Sequence, residues 1–311
     1  SGGVDPLPSL PAKHGRVLED PSLLFESPDS GLEAYGNVNR EDAVEYAKLV
    51  GRQLRSAKVV LASSARAGGT VFAVGKASGS QREVWHGTRV SQAAIRPPKP
   101  VHLLSPTSML ALEVGPEDRI LVSKRDAKCY FDQLRLPTAL REWFGRPKVD
   151  LDLLRRHGGF TLGELQQYFF GQGALRDCTH VVPLCATFPM GFSWSSYVAQ
   201  GYLLQRCYSA GLREDGFLAD DKPAPSCMDE VYGLATDDLV VFTRNDRVRA
   251  VETTRRFDAE LDRAGVVRAP AKDITAETSP TGVTCVGVDV CDGVFLAPAR
   301  AKLGLVLIGT T

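Results

Sequence analysis

Apolar and polar positions along the chain follow two periods, one near 3.6 residues and one near 2. Residues 1–40 follow neither; they are rich in Pro, Gly and Ser and predict a loosely ordered lead-in. Residues 41–62 carry Val44, Ala47, Val50 and Leu54 at helical spacing. "GTVFAVGK" then reads as a strand, and "RILVSKRD" opens on a run of four apolar-rich residues and delivers Asp126 at its end. "SWSSYVAQGYLLQRCYSAGL" predicts a helix with Tyr197, Leu204 and Tyr208 on one face and Gly211 as its stop. "GLATDDLVVF" reads as a hairpin closing on Asp237 and Asp238. "DRVRAVETTRRFDAELDRAG" predicts a second long helix, with Ala250, Thr254, Phe257, Leu261 and Ala264 on one stripe and Gly265 ending it. Two short strands about Asp292-Gly293 close the pattern, and no internal repeat is visible.

The order strand, helix, two strands, helix, strand is that of a split βαβ unit, which predicts an α+β fold around an antiparallel sheet. In that unit the first and third strands are neighbours, so Asp126 is expected to meet the turn carrying Asp237 and Asp238. An aspartate pair in a hairpin is also ordinary turn chemistry, because Asp hydrogen-bonds its own backbone. Three converging carboxylates, however, repel and raise one another's pKa. Divalent cations remove that repulsion, and a pair of them about 4 Å apart serves in-line phosphoryl displacement. Two Mg²⁺ ions, with Mn²⁺ as a substitute, are therefore expected at Asp126, Asp237 and Asp238.

Composition narrows the setting. A chain of 311 residues, 43% hydrophobic, can bury a large core. No apolar run approaches the length of a membrane span and no signal-peptide pattern opens the chain. Seven singly scattered cysteines predict reduced thiols and an intracellular protein, in cytoplasm or nucleus. Cys178, His180 and Cys185 lack the second ligand pair of a zinc motif. The 37 basic and 37 acidic residues balance overall, which argues against a general DNA-coating protein. Between Gly51 and Pro100, however, nine Lys or Arg stand against the single acid Glu83, a pattern suited either to a phosphate-facing surface or to a solvated basic face.

Six segments, in order, resemble the motifs of reverse transcriptases of gypsy-type retroelements. "VFAVGKASGSQREVWHGTRVSQ" resembles the fingers motif, and "RDAKCYFDQLRLP" the first catalytic motif, with Asp126 as its acid and Phe131 as its aromatic. "FPMGFSWSSYVAQ" resembles the second motif, with Pro189, Gly191, Ser193 and Gln200 in register, and "ATDDLVVF" the third. "GVVRAPAKD" supplies Gly265 and Lys272; "CVGVDVCDGVFLAPARAKL" resembles the primer-gripping hairpin, with Val286 and Gly287 in the grip and Pro298 and Lys302 beyond it. The resemblance spans roughly residues 70–305. It departs at Ala235, where the family has an aromatic, and at His86 and Gln92, where many members have Asp and Asn.

The resemblance implies a right-hand polymerase: fingers, and a palm built on a ferredoxin-like split βαβ sheet, with the thumb truncated or absent. Expected divisions are a lead-in over 1–40, basic fingers over 41–110, a first palm segment over 111–137, a fingers insertion over 138–188, palm over 189–290 and the start of a thumb over 291–311. The chain begins at Ser1 and stops soon after the grip, so a fragment of a retrotransposon-type polyprotein is expected. The implied activity is RNA-directed DNA synthesis on a primed RNA or DNA template from dNTPs, with no membrane partner. Asp126, Asp237 and Asp238 would hold the metals and Lys272 would protonate the leaving pyrophosphate. Lys76 and Arg82 would clamp the triphosphate, Ala127 and Met190 would line the substrate position, and Gly191 would let backbone approach the base pair. Phe131 would sit beneath the sugar and exclude a ribose 2′-hydroxyl. The alternatives are an RNA-dependent RNA polymerase, which Phe131 argues against, and a catalytically inactive scaffold that binds nucleic acid.

Overall fold

The structure is a computed structural model that describes residues 1–26, 38, 40–75, 79, 81–171 and 173–299. The first half contains helices α1 (Ala12–Glu19), α2 (Pro21–Leu24) and α3 (Ala43–Arg55), strands β1 (Val59–Ala62), β2 (Thr70–Gly75) and β3 (Gln81–His86), and α4 (Thr88–Ala93). Then come β4 (Ile120–Asp126), α5 (Tyr130–Gln133), β5 (Val149–Asp150), α6 (Leu151–Gly158), α7 (Leu162–Gln167) and β6 (His180–Cys185). The second half contains α8 (Ser195–Ser209), β7 (Glu230–Ala235), β8 (Asp238–Arg244), α9 (Arg247–Arg263), β9 (Ile274–Glu277), β10 (Val283–Cys285), β11 (Val288–Cys291) and β12 (Phe295–Pro298). The fold is α+β, and its named sheets are antiparallel. The chain packs as two units, residues 1–98 with 131–198, and residues 99–130 with 199–311.

In the first unit β6 runs between β1 and β5. Tyr46, Ala47, Val50 and Leu54 of α3 pack with Leu151 and Leu154 of α6, Leu165 of α7 and Val181 of β6 in one buried cluster. The two helices approach so closely that a Cβ on Gly51 would stand 2.9 Å from the Cα of Gly158. Local signals set these helices: Asp150 caps α6 at the Leu153 amide, 2.9 Å, and Thr161 and Glu164 form a reciprocal capping box on α7. The stretch expected to be a fingers insertion, 138–188, is thus part of this unit's central core. Its apolar positions found partners in α3 and β1 that spacing alone does not reveal.

Two further expectations are corrected here. The periodic stretch over 41–62 is α3 followed by β1, because the chain turns at Ser56 and Ala57 (φ 55°) before β1 pairs with β6. The lead-in is ordered over 1–26. Val4 bridges Leu134, Leu18 and Leu24 are fully buried, and Phe25 stacks on Trp143 with ring centroids 4.1 Å apart. Prolines at positions 6, 11 and 21 hid this segment by breaking any long period, yet Pro21 sits at the start of α2, where its missing N–H costs nothing. The rest of the lead-in, from 27 to 37 and at 39, lies outside the described residues.

The second unit is built on a four-stranded sheet of order β7-β8-β4-β9. With β4, β7, β8 and β9 counted first to fourth, that order is 2-3-1-4, so the first and third strands are neighbours as the split βαβ pattern requires. Val122, Val231, Val240 and Phe242 of this sheet pack with Leu104 and Met109 in one core. Leu104 also donates its amide to the Leu234 carbonyl, 2.8 Å. Residues 99–110, which the sequence grouped with the fingers, therefore pack in the unit that holds the sheet. Three closing strands, β10-β11-β12, stand where two were expected.

Candidate active site

The antiparallel register of β4 and β8 runs from Ile120 opposite Arg244 to Asp126 opposite Asp238. Asp238 also pairs with Ala235 of β7, which leaves Thr236 and Asp237 as a two-residue turn. The Asp237 carbonyl accepts from the Ala127 amide at 3.3 Å, so the turn lies against the chain just after Asp126. Thr236 has φ 58°, a left-handed backbone that costs a β-branched residue about 1–2 kcal/mol. Its amide is received by the side-chain oxygen of Gln200 at 2.7 Å. The sequence pattern included Gln200 but assigned it no role.

Lys272 reaches the same place by a different route. After α9 the chain forms a bridge between Ala127 and Arg268, with the Ala269 amide on the Asp126 carbonyl at 2.9 Å. A single 3₁₀ turn, Pro270–Lys272, then carries the ammonium to the Asp126 carboxylate, where the two form an ion pair. Behind Asp126, the buried Arg125 guanidinium bonds both oxygens of Asp258, at 2.9 and 3.1 Å, and the Ile274 carbonyl at 2.8 Å. Arg268 adds a contact to Asp258 at 3.2 Å. This lattice fixes α9 and β9 to the strand that ends in Asp126, which holds Lys272 in reach.

Burial raises the Asp238 carboxyl above the ordinary aspartate range. The Asp126 charge raises it further, while Lys124 and Lys272 pull it down. Lys272 is raised above the usual lysine range, chiefly by its hydrogen bond to Asp126 and also by the fields of Asp126, Asp238 and Asp237. Three carboxylates therefore share one field with the exposed Lys272 ammonium and with Lys124. Among the described residues, no three or more acidic, His or Cys side chains stand in a ready-made cation cage. The donor chemistry nevertheless fits Mg²⁺, which takes hard oxygen ligands from one or two carboxylates and completes its shell with water and phosphate.

The other expected residues fall in several places. Ala127 is buried, and its amide is engaged by Asp237. Val286 and Gly287 form the turn between β10 and β11 with φ 50° and 81°, a type I′ geometry. Lys76 and Lys302 lie outside the described residues. Arg82, Phe131, Met190 and Gly191 belong to the first unit. Arg82 is exposed on β3 and Phe131 is half-buried in α5. The Met190 carbonyl accepts from the Trp85 amide at 3.2 Å. Gly191 has φ 117°, and a Cβ there would stand 2.1 Å from the Trp85 carbonyl oxygen. Its lack of a side chain thus serves contact with β3, a requirement internal to the unit.

The basic segment is partly consumed by the fold. Lys58 pairs with Glu83 at 3.2 Å and Asp132 at 3.0 Å, and Arg55 bonds the Gly158 carbonyl at 2.6 Å over the Phe160 ring. Arg52, Arg82, Arg89 and Arg96 remain exposed and suit phosphate contact. No protein-family model matches the sequence, and no curated protein matches it. Any activity has therefore to be argued from the site. Among the described residues, no helix is long and apolar enough to cross a membrane.

What the arrangement can do follows from its charges. It sets the acceptors of Asp126, Asp237 and Asp238 beside Lys272, a donor that stays protonated through neutral pH, with the Lys124 charge also acting on Asp238. Such a set has the chemistry to take a polyanion through divalent cations, with a proton donor at its edge.

Proposed function

We propose that this chain is the fingers and palm portion of a reverse transcriptase, an RNA-directed DNA polymerase that extends a primer on an RNA or DNA template. The observation that carries the reading is the register that sets Asp126 opposite Asp238, with Asp237 in the adjoining turn and Lys272 on Asp126. Sequence spacing alone does not require these residues, about 110 positions apart, to meet. Their meeting at one sheet edge supports the motif resemblance on independent grounds.

Under this reading Asp126, Asp237 and Asp238 hold two Mg²⁺ ions, which supply an activated primer 3′-hydroxyl and neutralise the triphosphate. Asp126 and Asp238 are positioned by the sheet, so their separation is set by backbone pairing. Lys272 holds its proton beside Asp126, ready to give it to the pyrophosphate leaving group. Arg82 offers a planar fork to phosphate oxygens. Phe131 offers no hydrogen-bond partner to a 2′-hydroxyl, which disfavours ribonucleotides by about 1–3 kcal/mol if that hydroxyl is buried.

Primer extension on RNA and DNA templates, with dNTPs or NTPs and Mg²⁺, tests the proposal. DNA synthesis on both templates that disappears in Asp237→Asn is the expected result. RNA synthesis instead would favour the RNA polymerase. Template binding without extension in the wild type would favour the inactive scaffold.

A further inference from the structure

Gln200 lies on α8 and is fully buried. Its side-chain nitrogen donates to the Val101 carbonyl at 3.1 Å and the His102 carbonyl at 3.2 Å, with Leu234 of β7 at 3.4 Å. Its side-chain oxygen accepts from the Thr236 amide at 2.7 Å. One amide group therefore joins α8 to the 101–102 segment and to the hairpin turn. The Thr236 backbone is in the left-handed region, and no glycine relieves it. A strained turn of this kind persists only where its surroundings over-determine it. Asp237 and Asp238 are the next two residues, so the direction of both carboxylates depends on that turn.

From this geometry we infer that Gln200 is a positioning residue: it fixes the left-handed backbone at Thr236 and thereby makes the aspartate turn competent to take a divalent cation. The inference deepens the proposed polymerase reading and rests on it for the identity of the ligand. Gln200 touches no reacting atom. It acts through the Thr236 amide, as residues behind a metal site orient its ligands.

The test uses the whole chain and Mn²⁺ alone as probe, followed by its spectroscopic signal in the absence of nucleic acid and nucleotide. Gln200→Met keeps the length of the side chain and removes both functions of the amide. It should weaken Mn²⁺ binding roughly 10- to 100-fold, the usual effect of losing a group that orients ligands. In primer extension it should lower kcat while leaving KM for the primed template unchanged, which a general loss of packing would not do. Adding Thr236→Gly, which adopts the left-handed backbone freely, should recover a substantial part of the lost Mn²⁺ affinity. A folded Gln200→Met protein, judged by an unchanged near-ultraviolet dichroism spectrum, that binds Mn²⁺ as the wild type does overturns the inference. If Gln200→Met fails to fold, the Thr236→Gly single variant decides: Mn²⁺ affinity held at the wild-type level supports the left-handed requirement, and a loss overturns it. A wild type that binds no Mn²⁺ overturns the polymerase reading itself, whereas wild-type binding retained in Gln200→Met overturns only the role given to Gln200.

Discussion

Asp126 and Asp238 are cross-strand partners, brought opposite one another by seven successive residue pairs between β4 and β8. Like charges directly opposite in a sheet destabilise it. The fold accepts that repulsion at the one edge where Asp237 adds a third carboxylate and Lys272 supplies a counter-charge.

The repulsion should be visible as a pH dependence of stability. The folded Asp238 carboxyl is raised above its ordinary value of 3.8, first by burial and then by Asp126. The native state therefore holds this proton more tightly than the unfolded chain does. Its ionisation costs stability, a cost absent below the ordinary value and complete once pH has risen through the folded value. Asp238→Asn should melt at a higher temperature than wild type at neutral pH, with the difference closing on acidification. A variant that melts lower at every pH would mean that Lys124 and Lys272 compensate the charge fully.

Lys272 is exposed, so its pairing with Asp126 should matter little to stability, about 0–1 kcal/mol. Its raised pKa keeps it protonated through neutral pH, and that protonated form is lost only as pH rises through the raised value. Under the polymerase reading, as a proton donor it should contribute about 100-fold or more to the extension rate. Lys272→Met should therefore lower kcat by that order while thermal stability and template affinity hold. Single-turnover extension against pH checks this; equal rates in wild type and variant would remove Lys272 from the chemistry.

Gly191 offers a structural test in the first unit. An alanine there would press its Cβ against the Trp85 carbonyl oxygen, 2.1 Å away, at a backbone angle that L side chains rarely adopt. Gly191→Ala should cost about 1–3 kcal/mol or more in urea unfolding, because neither partner is a flexible side chain. Wild-type stability with lost extension would instead assign the glycine to the nascent base pair.

The sheet and its aspartates were legible because period-2 runs, a turn signal and a helix stop fell in the order of a split βαβ unit. The neighbourhood of Asp126 and the aspartate turn followed from that order, since the first and third strands of the unit lie side by side, whereas the residue-by-residue register did not. The first unit was harder. Strands β5 and β6 and helices α6 and α7 are short and find their partner in α3, about a hundred residues earlier, so their spacing reads as an insertion. Gln200 escaped for a related reason: a glutamine on a helix gives no sign of which distant backbone its amide will meet. Gly191 was picked out for approach to a base pair, whereas the close neighbour that requires glycine there is Trp85 of the chain itself.

The last prediction concerns Arg146, which is 2% exposed and lies between Glu83 at 2.9 Å, Gln53 at 2.8 Å and the Cys185 sulfur at 3.3 Å. A buried pair of this kind need not stabilise relative to apolar packing, but removing one partner strands the other. Arg146→Met should destabilise by less than the loss of about 3–5 kcal/mol that a fully stranded buried charge brings, because Glu83 loses one of two cations and keeps Lys58 at 3.2 Å. Neutralising Glu83 as well removes the charge that has lost a partner. Lys58 retains Asp132 at 3.0 Å, and a glutamine at 83 can still meet Gln53. Arg146→Met/Glu83→Gln should therefore regain at least about 1 kcal/mol over the Arg146 single variant, a coupling that a double-mutant cycle in urea reads directly. Additive losses would reduce Arg146 to a packing residue. Glu83 is also the neighbour of Arg82 on β3, so the network fixes the strand that displays Arg82. Under the polymerase reading, the double variant should show a higher KM for dNTP than wild type even at temperatures where both are fully folded.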